Sequence, residues 1–155
     1  MKLDQTDGQA LLEHYEIQVA KSEHAIAAGT DIAIDGWIDE TGRRIVRARS
    51  AAHASVRFVP FGEAGAAELA EGLRAHHHQI ETAAGRRMLE HLFLRISDLF
   101  EESGIDAFSL DPVRLHENSY TVVDATFSAP APLYLKERLG RHARDHKTFR
   151  ASGQQ

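Results

Sequence analysis

Two aspartates are the residues best placed to do chemistry. Asp111 and Asp124 lie in two alternating, β-branched-rich runs, Ser109–Leu115 and Tyr120–Phe127, separated by the polar turn His116-Glu117-Asn118-Ser119. The pattern predicts a β-hairpin. If Leu115 pairs with Tyr120, every cross-strand pair of residue numbers adds to the same total, so Asp111 falls opposite Asp124 and Ser109 opposite Thr126. Directly opposed residues on one face have Cβ atoms about 4.5–5.5 Å apart, where like charges are unfavourable unless something positive sits between them. The opposed carboxylates therefore predict a divalent cation. The competing reading is a solvated face, or a register slipped by one residue that separates the two side chains.

A second group carries the opposite charge. In Arg43-Arg44-Ile45-Val46-Arg47-Ala48-Arg49, strand periodicity puts Ile45, Arg47 and Arg49 on one face and Val46 and Ala48 on the other. Arg47 and Arg49 are thus candidate phosphate contacts, and the bland alternative pairs them with neighbouring acids on a solvated face. The run His76-His77-His78 ends a predicted helix, but consecutive histidines project in different directions and ligands to one metal would need a spacing of four. It reads as a helix end compatible with the dipole.

The elements that position these residues follow from hydrophobic periodicity. Thr6–Tyr15 predicts a short helix capped by Thr6 or Asp7, and Glu16–Ala28 reads as irregular. Thr30–Ile38, the turn Asp39-Glu40-Thr41-Gly42 and Arg43–Arg49 predict a second hairpin, followed by a third strand over Val56–Phe61 that Pro60 marks as an edge or an end. Helices are expected over Glu63–Gln79 and Thr82–Glu102, the latter with the broad apolar stripe Met88, Leu89, Leu92, Phe93, Ile96, Leu99 and Phe100 and a stop at Ser103-Gly104. Pro130-Ala131-Pro132 precedes a last short helix, Leu133–His142. The organisation expected is one domain over residues 1–148 with a tail over 149–155.

Composition bounds the function classes. A chain of 155 residues that is 43% hydrophobic and 26% charged can build one core. Its formal charge of -5 argues against nucleic acid or an anionic membrane surface as the main partner. Without cysteine there is no disulfide, zinc–thiolate or thiol-nucleophile chemistry. With no apolar signal core and no run approaching a membrane span, the expectation is a soluble, cytoplasmic protein.

The order and spacing of these motifs resemble the larger portion of the ATP-grasp domain in the β subunit of succinyl-CoA synthetase and related acyl-CoA ligases. Gln9-Ala10-Leu11-Leu12-Glu13-His14-Tyr15-Glu16-Ile17 is similar to that family's opening helix. The likeness resumes through Thr30-Asp31-Ile32 to Asp39 and Arg43-Arg44-Ile45-Val46, and is best over Ile105–Phe127, where the family carries a Glu-x-Asn-Pro-Leu strand and a following x-Asp-Ala/Gly strand. The departures are substantial. Between Ala20 and about His24 the family inserts a lid subdomain, and around Ser50-Ala51-Ala52-His53-Ala54-Ser55 it has a Gly-Gly turn; neither is present here. Ser109 stands where the family has a metal-binding Glu, Asp111 replaces its Asn, and Asp124 alone matches unchanged. The family's C-terminal CoA-ligase domain has no counterpart.

The resemblance implies an α+β fold: a largely antiparallel sheet with helices packed mainly on one face, an ATP-grasp-like body without its lid. It implies a Mg-nucleotide-binding subunit of an acyl-CoA ligase complex, with Asp111 and Asp124 as a remnant Mg²⁺ site, ATP as ligand and Arg47 and Arg49 towards its phosphates. An α-like ligase subunit is the implied partner. The alternative is a catalytically inactive binding or assembly module. Trp37, Phe58, Phe61, Tyr134 and Phe149 supply aromatic surface for a homo-oligomer or such a partner.

Overall fold

The computed structural model describes residues 1–20, 29–73, 82–116 and 119–130. The expectations for His76-His77-His78, the helix Leu133–His142 and the tail 149–155 lie outside them, as do Tyr134 and Phe149. Among the described residues, three helices, α1 (Gln5–His14), α2 (Gly62–Leu73) and α3 (Ala83–Glu102), accompany six strands. The strands are β1 (Thr30–Ile38), β2 (Arg44–Arg49), β3 (Ala54–Phe58), β4 (Ala107–Leu115), β5 (Tyr120–Val122) and β6 (Ala125–Ser128). They form one sheet in the order β3-β2-β1-β4-β5, with β6 continuing beside β4, and every strand pair is antiparallel. The expected α+β architecture is the one found.

One face of the sheet meets α2 and α3. Helix α3 buries Leu89, Leu92, Phe93, Ile96, Leu99 and Phe100, a stripe at helical spacing, and each such side chain contributes about 1.5–3 kcal/mol. Thr82 caps it by accepting from the Gly85 amide at 3.0 Å, and Gly104, at φ 85°, follows its end. Beneath it the strands present Ile34, Val46, Ala48, Phe108, Leu110 and Phe127, all buried. Gly36 is required here: a methyl group on it would stand 2.3 Å from the Phe108 ring, which packs edge-on against Phe100 at 5.1 Å.

Several boundaries differ from expectation: β3 begins at Ala54 and β4 at Ala107, and the run expected as one strand over Tyr120–Phe127 is broken at Val123-Asp124 into β5 and β6. Helix α1 is capped by Asp4, whose Oδ1 accepts from the Asp7 amide at 2.8 Å, and not by Thr6 or Asp7. The helix begins one residue earlier than expected, so Asp7 becomes the amide donor that a cap must satisfy. Strand β3 ends at Phe58 and not Phe61, with one more bond from the Val59 amide to the Arg44 carbonyl before Pro60, which has no amide to donate. The first hairpin turn is held by Asp39, whose Oδ1 accepts from the Thr41 amide, the Thr41 hydroxyl and the Arg43 amide. The Thr41 hydroxyl and the Arg43 amide keep that carboxyl below its usual range.

A Gly36→Ala substitution should overpack the core against Phe108 and cost about 1–3 kcal/mol, lowering Tm by several degrees in thermal unfolding. At the end of α3, the surrounding protein and the carboxylates of Glu102 and Glu101 push Asp98 above the usual aspartate range. A raised aspartate pKa favours folding below the unfolded-state pKa, and that contribution is lost as pH rises through the folded value. Asp98→Asn should therefore stabilise the protein slightly at neutral pH, with the gain lost as pH falls below the ordinary aspartate range in parallel denaturant titrations.

Candidate functional site

The other face of the sheet is where the candidate residues gather, and strand registers order them into rows. Phe58, Ile45 and Trp37 are cross-strand neighbours in the first row. The second runs Val56, Arg47, Asp35, Ser109, Thr126. In the third, Ala54, Arg49 and Ala33 are register partners. Asp111 continues that row beside Arg49, and its amide donates to the Asp124 carbonyl at 3.0 Å. The hairpin register is thus the expected one: Leu115 pairs with Tyr120 and Ser109 with Thr126. The sheet then ends in the pair Arg114–Asp31, joined by two hydrogen bonds of 2.8 and 3.2 Å.

Between Ile32 and Ile34 the β1–β4 register shifts, so that Asp111 and Pro112 together lie opposite Ala33. This is a bulge, and it reverses which residues of β4 face the helices. Before it Phe108 and Leu110 are buried; after it Val113 and Leu115 are. Uninterrupted alternation would have grouped Asp111 with Val113 and Leu115. The bulge separates it from them and leaves it exposed beside Arg49.

Electrostatics distinguish the two arginines. Arg47 is committed to Asp35 by a two-point contact, Nε to Oδ1 at 3.1 Å and Nη2 to Oδ2 at 2.6 Å, and its guanidinium lies 5.3 Å from the centre of the Trp37 ring. The Asp35 hydrogen bonds, helped by its charge, raise the Arg47 pKa further. The bland reading of the sequence, an arginine paired with a neighbouring acid, describes Arg47. Arg49 is held loosely: Nε is 3.6 Å from Asp35 Oδ1 and Nη2 is 3.9 Å from Asp111 Oδ2. Its Nε is buried and makes no hydrogen bond, although 41% of the side chain remains exposed.

The carboxylates are also partly engaged. Asp111 faces Arg49, while Asp124 Oδ1 accepts from the Ala125 amide at 2.9 Å. Among the described residues no group of three or more histidine, aspartate or glutamate side chains could hold a metal ion. Asp124 also borders a groove of about 360 Å³ between α1 and the sheet edge, lined by Gln5, Gln9, Leu12, Val19 and Val122 among others. Asp35 and Trp37 were not singled out with the site from sequence. The signal that finds Asp35 is the register of the first hairpin: pairing Ile38 with Arg44 across the turn sets Asp35 opposite Arg47.

No protein-family model matches the chain, and no curated protein sequence matches it. Solved structures do. The dinucleotide-forming acetyl-coenzyme A synthetase 1 of Ca. Korarchaeum cryptofilum, solved with coenzyme A and Mg-AMPPCP, is similar with a TM-score of 0.55 at 17% identity, over 67% of this chain and 55% of that one. PH1788 from Pyrococcus horikoshii Ot3 is similar at a TM-score of 0.55 and 16% identity, over 66% of this chain and 49% of its own. ATP citrate lyase from Methanothrix soehngenii, solved with citrate and coenzyme A, gives a TM-score of 0.55 at 11% identity, over 74% of this chain and 28% of that one. The chain thus spans about half the length of the first two neighbours and less of the third.

Removing the Asp35 charge should release Arg47 from its place over Trp37. Asp35→Asn is expected to cost about 1 kcal/mol in denaturant unfolding and to change the emission of the chain's single tryptophan in the native state. At identities this low the likeness establishes the fold alone, the one shared with parts of the acetyl-coenzyme A synthetase and ATP citrate lyase chains.

Proposed function

We propose that the chain binds a Mg-nucleotide on the open face of its sheet, as the nucleotide-binding part of an acyl-CoA ligase-like assembly, and does not turn the nucleotide over by itself. The observation that carries this reading is the order of chemistry across the face. An apolar, aromatic row of Trp37, Ile45 and Phe58 gives way to a row of ion-paired and hydroxyl side chains, then to Arg49 with Asp111, whose backbone pairs with Asp124. Rows two residues apart along a strand are separated by about 6.6 Å. The base would lie against the first row and the phosphates towards the third.

The residues fit that ligand in two respects. Arg49, 41% exposed and held by its two acids only at 3.6 and 3.9 Å, can offer its guanidinium to a phosphate oxygen, and the two carboxylates are the hard donors Mg²⁺ takes when phosphates complete its shell. Asp111 and Asp124 would hold the ion together with the nucleotide, and bound there it would supply charge neutralisation of the phosphates. The acetyl-coenzyme A synthetase neighbour, solved with Mg-AMPPCP, supports the ligand class.

Absence of turnover is favoured by one further observation. Phosphoryl transfer depends on positioned positive charge, yet Arg47, the arginine nearest the middle of the face, is neutralised by Asp35. The chain would need an α-like ligase subunit or a second copy of itself to complete the site. The exposed Val56, on the edge strand β3, provides apolar surface for that contact.

Titration calorimetry with Mg-ATP should show saturable binding, while steady-state ATP hydrolysis by the pure chain stays at the buffer rate. Absence of saturable heat up to millimolar nucleotide would contradict the binding. Robust turnover that disappears in Asp124→Ala would contradict the second half.

A further inference from the structure

We propose that Arg49, and not Arg47, is the anion-reading residue of the open face, and that Asp111 gates it by competing with the anion for the same guanidinium. This rests on the nucleotide-binding reading and names how that site is regulated. Three facts carry it. Arg47 has its Nε/Nη2 edge taken by Asp35, at 3.1 and 2.6 Å, so an anion taking that edge must first break a two-point contact. Arg49 keeps a buried Nε without a hydrogen bond, while its nearest acids stand at 3.6 and 3.9 Å, beyond good charge-assisted geometry. It therefore has more to gain from a phosphate oxygen than it loses by leaving either acid.

The gate follows from the same geometry. Asp35 is anchored to Arg47 through both oxygens and reaches Arg49 only at 3.6 Å. Asp111 is exposed and, among the described residues, its ion pair is the 3.9 Å contact to Arg49. Whatever neutralises Asp111, a bound divalent cation included, frees Arg49 for the anion, and by linkage an anion on Arg49 frees Asp111 for the cation. The groups facing Arg49 from the packed strands are Asp35 on β1 and Asp111 on β4, with Asp124 one strand further on.

The test uses the full chain and inorganic tripolyphosphate in EDTA, read by calorimetry, with Mg-ATP as a separate arm and thermal unfolding to confirm folding of each variant. Arg49→Gln should weaken tripolyphosphate binding about tenfold or more, with Arg49→Lys intermediate. Asp111→Asn and Asp124→Asn remove the same charge from the same hairpin, but only the first releases Arg49. Asp111→Asn should strengthen binding about fivefold more than Asp124→Asn. Unchanged binding in Arg49→Gln, or equal effects of the two asparagine variants, overturns the proposal. If Mg-ATP still binds in that case, the nucleotide reading stands without it; if neither ligand binds the native chain, both fall.

Discussion

The bulge at Asp111 and Pro112 is the constraint on which the rest of the structure depends. Side-chain parity in a strand is exact, so a strand that must put Leu110 against the helices and also Val113 has to gain a residue between them. Strand β4 does this against β1. The neighbouring chain from β5 to β6 makes the matching change, with Val122 buried on one side of the irregularity and Phe127 on the other, so the hairpin register never slips. The two aspartates stand at that irregularity, with their backbones still paired across it.

The two faces of the sheet then play different energetic parts. On the helix face, buried leucine, isoleucine and phenylalanine side chains each contribute about 1.5–3 kcal/mol. Exposed ion pairs such as Arg49–Asp111 contribute about 0–1 kcal/mol each. The fold is therefore decided by α2, α3 and the strand residues beneath them. The charged side chains opposite can exchange partners at little cost to stability, which is what a face that binds a charged ligand must do. Arg47 and Asp35 are the fixed point of that network, and Arg49 is its adjustable member.

Much of this was legible in the sequence because it follows from periodicity. The stripe of α3, the two hairpins, the shared face of Arg47 and Arg49, and the pairing of Leu115 with Tyr120 are all period or turn arguments. What the residues alone left open was non-local. A bulge is defined by two strands at once, and nothing in Asp111-Pro112 announces that Ala33 will face both. The commitment of Arg47 to Asp35 likewise needed the register of a hairpin to be carried through, residue by residue, from its turn. The cap of α1 was missed because Asp4, Thr6 and Asp7 are all capping types, and only the helix start chooses among them.

Backbone amide chemical-shift mapping during a Mg-ATP titration tests the central claim most directly, since it locates the ligand without assuming turnover. The account predicts that the largest changes fall on Asp35, Arg47, Arg49, Ser109 and Asp111, with the indole of Trp37 following the same curve. Changes confined instead to Gln5, Gln9, Val19 and Val122, around the groove beside α1, would contradict it and move the site to the sheet edge.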